Sequence, residues 1–293
     1  MRWLAGLSLV AACSAADGDP RTGFLIATLT DDNQVWLARD PAALAGKYRK
    51  MATRGFDFFR GTAGQYWRDV TEAGPGTTAT TVGDAASAWL WIVGDPHLEN
   101  LGTFRGADGV LAVDWNDYDA ATVGPWWLDL RRLAVSLAIA TDELELDPGA
   151  DRALVEAAVR AYAGEIERLA AGGAPILERE GAGAVTDDLI ASARRSGERG
   201  ARLRDYTRLD SAGARVMFYG EVAPSRDDGV VVDTTALVRG QEHASVVAAV
   251  AAWRTTALTG DVGAIKGVSR RLGAGVASYP VPRYYVLLEG PGP

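Results

Sequence analysis

The sequence predicts an α+β fold in which a mostly helical lobe carries two acidic loops and a smaller β portion closes the chain. Three observations predict it. Two short apolar runs, Ala88 to Val93 and Val110 to Val113, each stop at a cluster of carboxylate and amide side chains, and such runs bounded by glycine read as strands. Several longer segments repeat apolar residues at helical spacing behind acidic starts. The C-terminal stretch is punctuated by glycine between runs rich in branched and aromatic residues, as a hairpin is.

Along the chain, Met1 to Cys13 reads as an export signal: Arg2 precedes a ten-residue apolar run, Trp3 to Ala12, too short to cross a bilayer. Asp40-Pro41 opens a helix through Met51, with Asp as cap and Pro in the first turn. Ala73 to Ser87, rich in Gly, Thr and Ala, is a loop. Ala88 to Val93 is expected to be a buried strand that Gly94 breaks. The second strand, Val110 to Val113, leads into Asp114, so both acidic clusters are placed where a strand gives way to a loop.

Leu130, Leu133, Ala134, Leu137 and Ala138 then recur at helical spacing and face the sheet. Asp147-Pro148 begins another helix, with Leu154, Ala158 and Tyr162 on one face and Gly172-Gly173 beyond its end, and Thr186-Asp187-Asp188 starts a further one. Val216 to Tyr219 and Val230 to Val232 read as strands around a turn at Asp227-Asp228-Gly229. A long Ala/Val helix, about Thr235 to Thr256, carries His243 as a surface or packing residue and precedes the terminal hairpin.

Composition bounds the function. The 293-residue chain is long enough to bury about three quarters of its unfolded surface in one large domain or two lobes. Its net charge of −8 argues against a nucleic-acid partner. Cys13 is the only cysteine, so no intrachain disulfide forms.

The chemistry concentrates in Gly94-Asp95-Pro96-His97-Leu98-Glu99-Asn100 and in Asp114-Trp115-Asn116-Asp117-Tyr118-Asp119. Phosphoryl transfer asks a protein for a carboxylate that orients the attacking hydroxyl and for oxygen ligands that hold Mg²⁺ on the nucleotide phosphates. Asp95 is the candidate base, and Asn100, Asp114 and Asn116 are the candidate metal ligands. His97 is expected to reach a transferring phosphate. Taken singly, an Asp-x-His-x-x-Asn loop is more often a capped turn. Several carboxylates at a second strand end shift the balance, since they repel one another without a cation. Trp115, Trp126 and Trp127 read as core beneath the site.

These loops resemble those of protein-kinase-like phosphotransferases, the aminoglycoside and choline kinases especially, with Val93 where those enzymes carry a first His. The nineteen positions from Asp95 to Asp114 are close to that superfamily's spacing. The resemblance implies that Asp129, in Trp126-Trp127-Leu128-Asp129-Leu130-Arg131-Arg132, braces the catalytic loop by accepting backbone hydrogen bonds. A closer resemblance is to the bacterial domain-of-unknown-function family 2252. It rests on Phe56 to Gly61, Gly94 to Gly102, Asp114 to Asp119 and Gly124 to Ser136, running from about Tyr48 to Ala140, and resumes over Gly267 to Gly290.

The kinase resemblance implies a domain over 14–293 after a signal at 1–13, with a catalytic-loop lobe at 24–205. The remainder, 206–293, supplies strands, the long helix and a small, permuted and incomplete β lobe with a glycine-rich hairpin. It implies Mg (or Mn) and ATP or another nucleotide as cofactors, and a small-molecule hydroxyl as acceptor. Arg60, Gly273 and Gly275 are the candidates for phosphate or nucleotide contact; Arg60 serves equally as a bridge to an acidic neighbour, and a bare glycine pair is more often a turn.

One departure stands against it. The resemblance calls for a phosphate-binding lysine shortly after Leu287-Leu288-Glu289-Gly290. The three lysines present, Lys47, Lys50 and Lys266, lie elsewhere, and the sequence stops at Pro293. A fragment, another group in that part, or weak catalysis would each account for this.

Val10-Ala11-Ala12-Cys13 resembles a bacterial lipobox, which implies lipidation at Cys13, attachment to the membrane through that anchor and a place in the cell envelope. A misassigned start codon would make the protein cytoplasmic instead. Because ATP is scarce outside the cytoplasm, an alternative is a non-enzymatic lipid-anchored envelope protein on a kinase-like scaffold. A metal-dependent phosphoesterase is weaker still, because two-metal sites draw on several histidines and only His97 and His243 exist.

Overall fold

Helices and two-stranded ribbons make up most of the fold, and the computed structural model describes residues 19–72, 88–106, 109–173, 181, 183–196, 201–218, 234–257 and 263–290. The fold is mixed α+β with small antiparallel sheets. Cys13, the loop expected over 73–87, and the turn and strand expected over 227–232 lie outside the described residues. Two compact units emerge. One joins Met1–Thr77 to Asp210–Pro293, and the other is Thr78–Leu209. The expected division at 205/206 is therefore replaced by a grouping in which N-terminal helices belong with C-terminal strands.

In the first unit, α1 (Pro20–Arg39), α2 (Pro41–Met51), α3 (Gly55–Gly61) and α4 (Ala63–Glu72) follow one another. Asp40 Oδ1 caps α2 by accepting from the Ala43 N–H at 2.9 Å, as the Asp-Pro signal leads one to expect. Asp19-Pro20 carries the same signal for α1, where Asp19 accepts from the Arg21 and Thr22 amides at 3.1 Å each. Helix α1, although not among the expected elements, was thus legible at its start. Arg21 grips Asp69 of α4 with two bonds of 2.6 and 2.7 Å. Between the same helices the Thr28 hydroxyl donates to Gln65. The buried Lys47 ammonium donates to Asn33 Oδ1 at 2.8 Å, and burial holds its pKa below the usual lysine range.

Asp57, in the first turn of α3, is also buried. Burial pushes its carboxyl pKa upward, but two 2.9 Å bonds from Arg54, a bond from Thr53 and the charge of Lys50 outweigh this and leave it lowered. A depressed folded pKa means that the stabilisation is complete above the unfolded value, about 3.9, and is lost as pH falls through the folded one. Urea midpoints of wild type and Asp57→Asn are expected to differ at pH 7 and to converge as the pH drops below about 4. A gap that stays constant across that range would contradict the assignment.

The rest of this unit contains β6 (Arg215–Met217), β7 (Thr234–Leu237), α9 (Gly240–Ala257), β8 (Ile265–Leu272) and β9 (Arg283–Leu288). Strands β7, β8 and β9 form an antiparallel sheet with β8 in the middle. The helix expected from about Thr235 is corrected here: Thr234 to Leu237 pair with β8, and α9 starts only at Gly240, whose φ is +57°. Two β-branched threonines and an available sheet edge outweigh the helical alanines that follow. Strand β6, read as Val216 to Tyr219, spans 215–217.

The second unit holds β1 (Trp89–Ile92), β2 (Leu101–Arg105), β3 (Leu111–Trp115), β4 (Thr122–Pro125), α5 (Trp126–Glu143), α6 (Ala150–Ala170), α7 (Ala184–Ser196), α8 (Ala201–Tyr206) and β5 (Thr207–Leu209). Strands β1 and β4 pair as one antiparallel ribbon, β2 and β3 as another. Strand β1 is where expected but is not a buried strand: Trp89 is 56% and Trp91 77% exposed, and only Ile92 is buried. A two-stranded ribbon turns at least one face outward, so apolar content alone overstated its burial. Helix α6 begins at Ala150 behind Gly149 and turns outward more than its apolar spacing suggests, with Leu154 exposed. Its Tyr162 stacks on Trp126 of α5, ring centroids 5.6 Å apart.

Candidate functional site

The site is built by one loop, one ribbon and one helix of the second unit. Gly94 ends the segment after β1 with φ +86°, and a Cβ there would stand 2.0 Å from the Ala120 carbonyl oxygen. Only glycine fits that turn, which swings the chain into Asp95. The Asp129 carboxylate, from the first turn of α5, accepts the N–H groups of Val93 at 2.7 Å and Gly94 at 3.0 Å. Burial raises the Asp129 pKa, and these two bonds partly offset it.

One turn further along α5 stands Arg132, 1% exposed, whose Nε donates to Asp95 Oδ1. Asp129 and Arg132 are three positions apart and so share a helix face. That face holds the loop twice, by its backbone and by its carboxylate. Arg132 was absent from the expected site. The signal that could have found it is its spacing from Asp129, but its target, 37 positions away, is fixed only by tertiary structure. Burial raises the Asp95 pKa; Arg132 opposes this, and the nearby charges of Asp119 and Asp117 add to the rise.

After Asp95, a single 3₁₀ turn, Leu98–Asn100, feeds β2. The Asn100 amide donates through Nδ2 to the Asp95 carbonyl at 3.1 Å and turns Oδ1 the other way. The Asn116 N–H donates to the Asn100 carbonyl at 2.8 Å, which continues the β2–β3 register in which Leu101 faces Trp115 and Gly102 faces Asp114. Side chains alternate along strands, so Asn100, Asn116 and Asp114 fall on one face of the ribbon. Gly102 leaves the notch among them open; a Cβ there would lie 2.3 Å from Asn116 Nδ2. Asp114 Oδ1 accepts the Trp115 N–H at 2.8 Å, which leaves Oδ2 to other partners.

Two corrections follow. Asp114 does not open a loop: it lies inside β3, because the strand runs on through Trp115. His97 is 2% exposed and caps the 3₁₀ turn, its carbonyl accepting the Asn100 N–H at 2.8 Å. A histidine so enclosed packs the loop rather than meeting a phosphate from solvent, and the catalytic role expected for it gives way to a structural one.

The oxygen set suits a hard divalent ion. Asn100, Asp114 and Asn116 offer neutral and anionic oxygens on one face, and diagonal neighbours across an antiparallel pair stand roughly 7–8 Å apart. Among the described residues no three His, Cys, Asp or Glu gather around one point. That suits Mg²⁺, which takes only one or two carboxylates and completes its shell with water and phosphate oxygens, better than a two-metal hydrolase centre. Asp95, Asn100, Asp114, Asn116 and Asp129 thus share the second unit. The first unit holds Arg60, half-buried in the last turn of α3, and Gly273 and Gly275, at φ +75° and +73° in the hairpin between β8 and β9.

Residues 39–292 match the sequence pattern of a bacterial family described as "Uncharacterized protein conserved in bacteria (DUF2252)". The chain belongs to this family. The match spans both units, so the DUF2252 pattern includes the acidic loops, α5 and the glycine hairpin alike. No curated protein and no solved structure matches the chain. No described helix is long and apolar enough to cross a membrane.

Proposed function

We propose that this DUF2252 chain is a Mg²⁺-dependent phosphotransferase that moves a phosphoryl group from a nucleotide to a small-molecule hydroxyl. The observation that supports it most is the shared face of Asn100, Asn116 and Asp114 beside an Asp95 carboxylate clamped by Arg132. In this reading Asp95 Oδ2, the oxygen not engaged by Arg132 Nε, accepts the hydrogen bond of the acceptor hydroxyl and takes its proton as the new P–O bond forms. Asn100, Asp114 and Asn116 would hold the metal. When bound, the metal neutralises charge developing on the phosphate oxygens. Asp129 keeps the Val93 and Gly94 amides in place, so the base does not drift from its partner.

Calorimetry of the full chain with ATP is the test. Binding is expected with Mg²⁺ or Mn²⁺, and Asp114→Asn is expected to weaken it about tenfold or more, the scale of one lost charge-assisted interaction. Absence of metal-dependent nucleotide binding in the wild type, or unchanged affinity in the variant, would end this reading.

A second reading, a binding protein without turnover, draws on the same ion pair: a carboxylate neutralised by a buried guanidinium is a weaker base. Phosphorus NMR of ATP incubated with a library of hydroxyl compounds distinguishes the two. Turnover that disappears in Asp95→Ala favours the enzyme. Metal-dependent nucleotide binding with no turnover in either protein favours the binder.

A further inference from the structure

The hairpin between β8 and β9 lies outside the acidic site, and we propose that it is an anion site for a phosphate group, formed by Gly275, Ser278 and Arg283 with Lys50 of α2. The space beside Gly275 is shaped by donors. A Cβ at Gly275 would lie 2.6 Å from Ser278 Oγ and 3.5 and 3.8 Å from the two terminal nitrogens of Arg283. Any side chain there would displace the groups that define the cradle.

Charge supplies the second observation. Arg283 is half-buried, and its guanidinium donates to the neutral Ser278 hydroxyl. Among the described residues it has no carboxylate partner. A partly desolvated guanidinium ordinarily takes a carboxylate or phosphate, often through two parallel bonds. Lys50 Nζ donates to the Gly273 carbonyl at 3.1 Å and lies 5.9 Å from the Tyr279 ring centre, so a second cation reaches the hairpin from α2. All these residues belong to the first unit.

Backbone geometry adds a third. Gly273 and Gly275 have φ of +75° and +73°, while Ala274 between them stays on the negative side. Alternation of this kind lets successive N–H groups turn into one concavity that favours an anion. Two cations, a hydroxyl and such a turn match a tetrahedral oxyanion better than a planar carboxylate, because their donors approach from several directions. For its biological meaning the site rests on the phosphotransfer reading, which would make it the seat of a nucleotide phosphate. Its binding is measured without turnover.

The full chain is titrated by calorimetry in EDTA with inorganic phosphate, pyrophosphate, ATP and adenosine. Pyrophosphate is expected to bind, Arg283→Gln to weaken it roughly tenfold or more, and Ser278→Ala, which removes only a hydroxyl, about threefold to tenfold. Arg160→Gln, on the exposed face of α6, is expected to leave it unchanged, and melting curves check that each variant folds. Pyrophosphate and ATP binding alike would identify the ligand as a phosphate group of any origin; ATP binding at least tenfold tighter would identify a nucleotide. No binding of any of the anions to the wild type, or binding that both hairpin variants leave intact, overturns the proposal. Binding through Arg283 without metal-dependent nucleotide affinity at Asp114 would keep the hairpin site and remove the phosphotransfer reading.

Discussion

Asp95→Ala is expected to destabilise the second unit by roughly 3–5 kcal/mol at neutral pH, the cost typical of removing one partner of a buried ion pair. Arg132 is 1% exposed, and its Nε donates to the Asp95 carboxylate. A guanidinium cannot shed its proton to escape the interior. The reverse substitution, Arg132→Met, is expected to cost less, because the aspartate left behind can neutralise itself. Burial and the charges of Asp119 and Asp117 already raise its pKa, and loss of Arg132 raises it further.

The sign follows from linkage. A carboxyl whose folded pKa lies above its unfolded value is penalised when charged, and the penalty is relieved as pH falls toward and below the folded value. Arg132→Met should therefore approach wild-type stability between pH 7 and pH 5, while Asp95→Ala should not. Urea unfolding monitored by tryptophan fluorescence at several pH values reads both. Equal, pH-independent losses in the two variants would show that the pair is not the strong interaction its geometry indicates.

The second large effect is expected at Gly94. Gly94→Ala forces a Cβ into left-handed backbone, at roughly 1–2 kcal/mol, and drives it against the Ala120 carbonyl, 2.0 Å away. Backbone cannot swing aside as a side-chain end can, so about 1–3 kcal/mol of overpacking is added. The Gly94 N–H is meanwhile tied to Asp129 and resists relaxation. Gly109→Ala is the control: its φ is +78°, but a Cβ there meets nothing within 4 Å. It should show the conformational cost alone. If the two variants unfold at the same urea concentration, the close approach at Ala120 carries no weight.

How much could be read in advance differs from element to element. The Asp40-Pro41 start and the end at Met51 were legible because a cap and a first-turn proline act within four residues. The same signal at Asp19-Pro20 was legible but stood beside an apolar leader that drew the reading elsewhere. The Thr234–Leu237 strand was not legible, since its ladder partner, Ser269 to Leu272, is distant and a helical run follows at once. Trp89 and Trp91 misled for a related reason: aromatic content announces a strand but not which face meets solvent.

The site divides along the same line. Residue identity alone marked Asp95, Asn100, Asp114 and Asn116 as oxygen donors and Asp129 as a brace, because carboxylate and amide chemistry is intrinsic to the side chain. Sequence alone could not enclose His97, carry β3 through Asp114, or bring Arg132 onto Asp95 and Arg283 onto Ser278. The amino-acid sequence by itself determined the local elements and the chemical kinds of group available, since caps, turns and donor types are properties of a few adjacent residues. Only the tertiary structure decided which of those groups meet, because antiparallel register and helix face pair residues far apart in the chain and burial then sets their charge state.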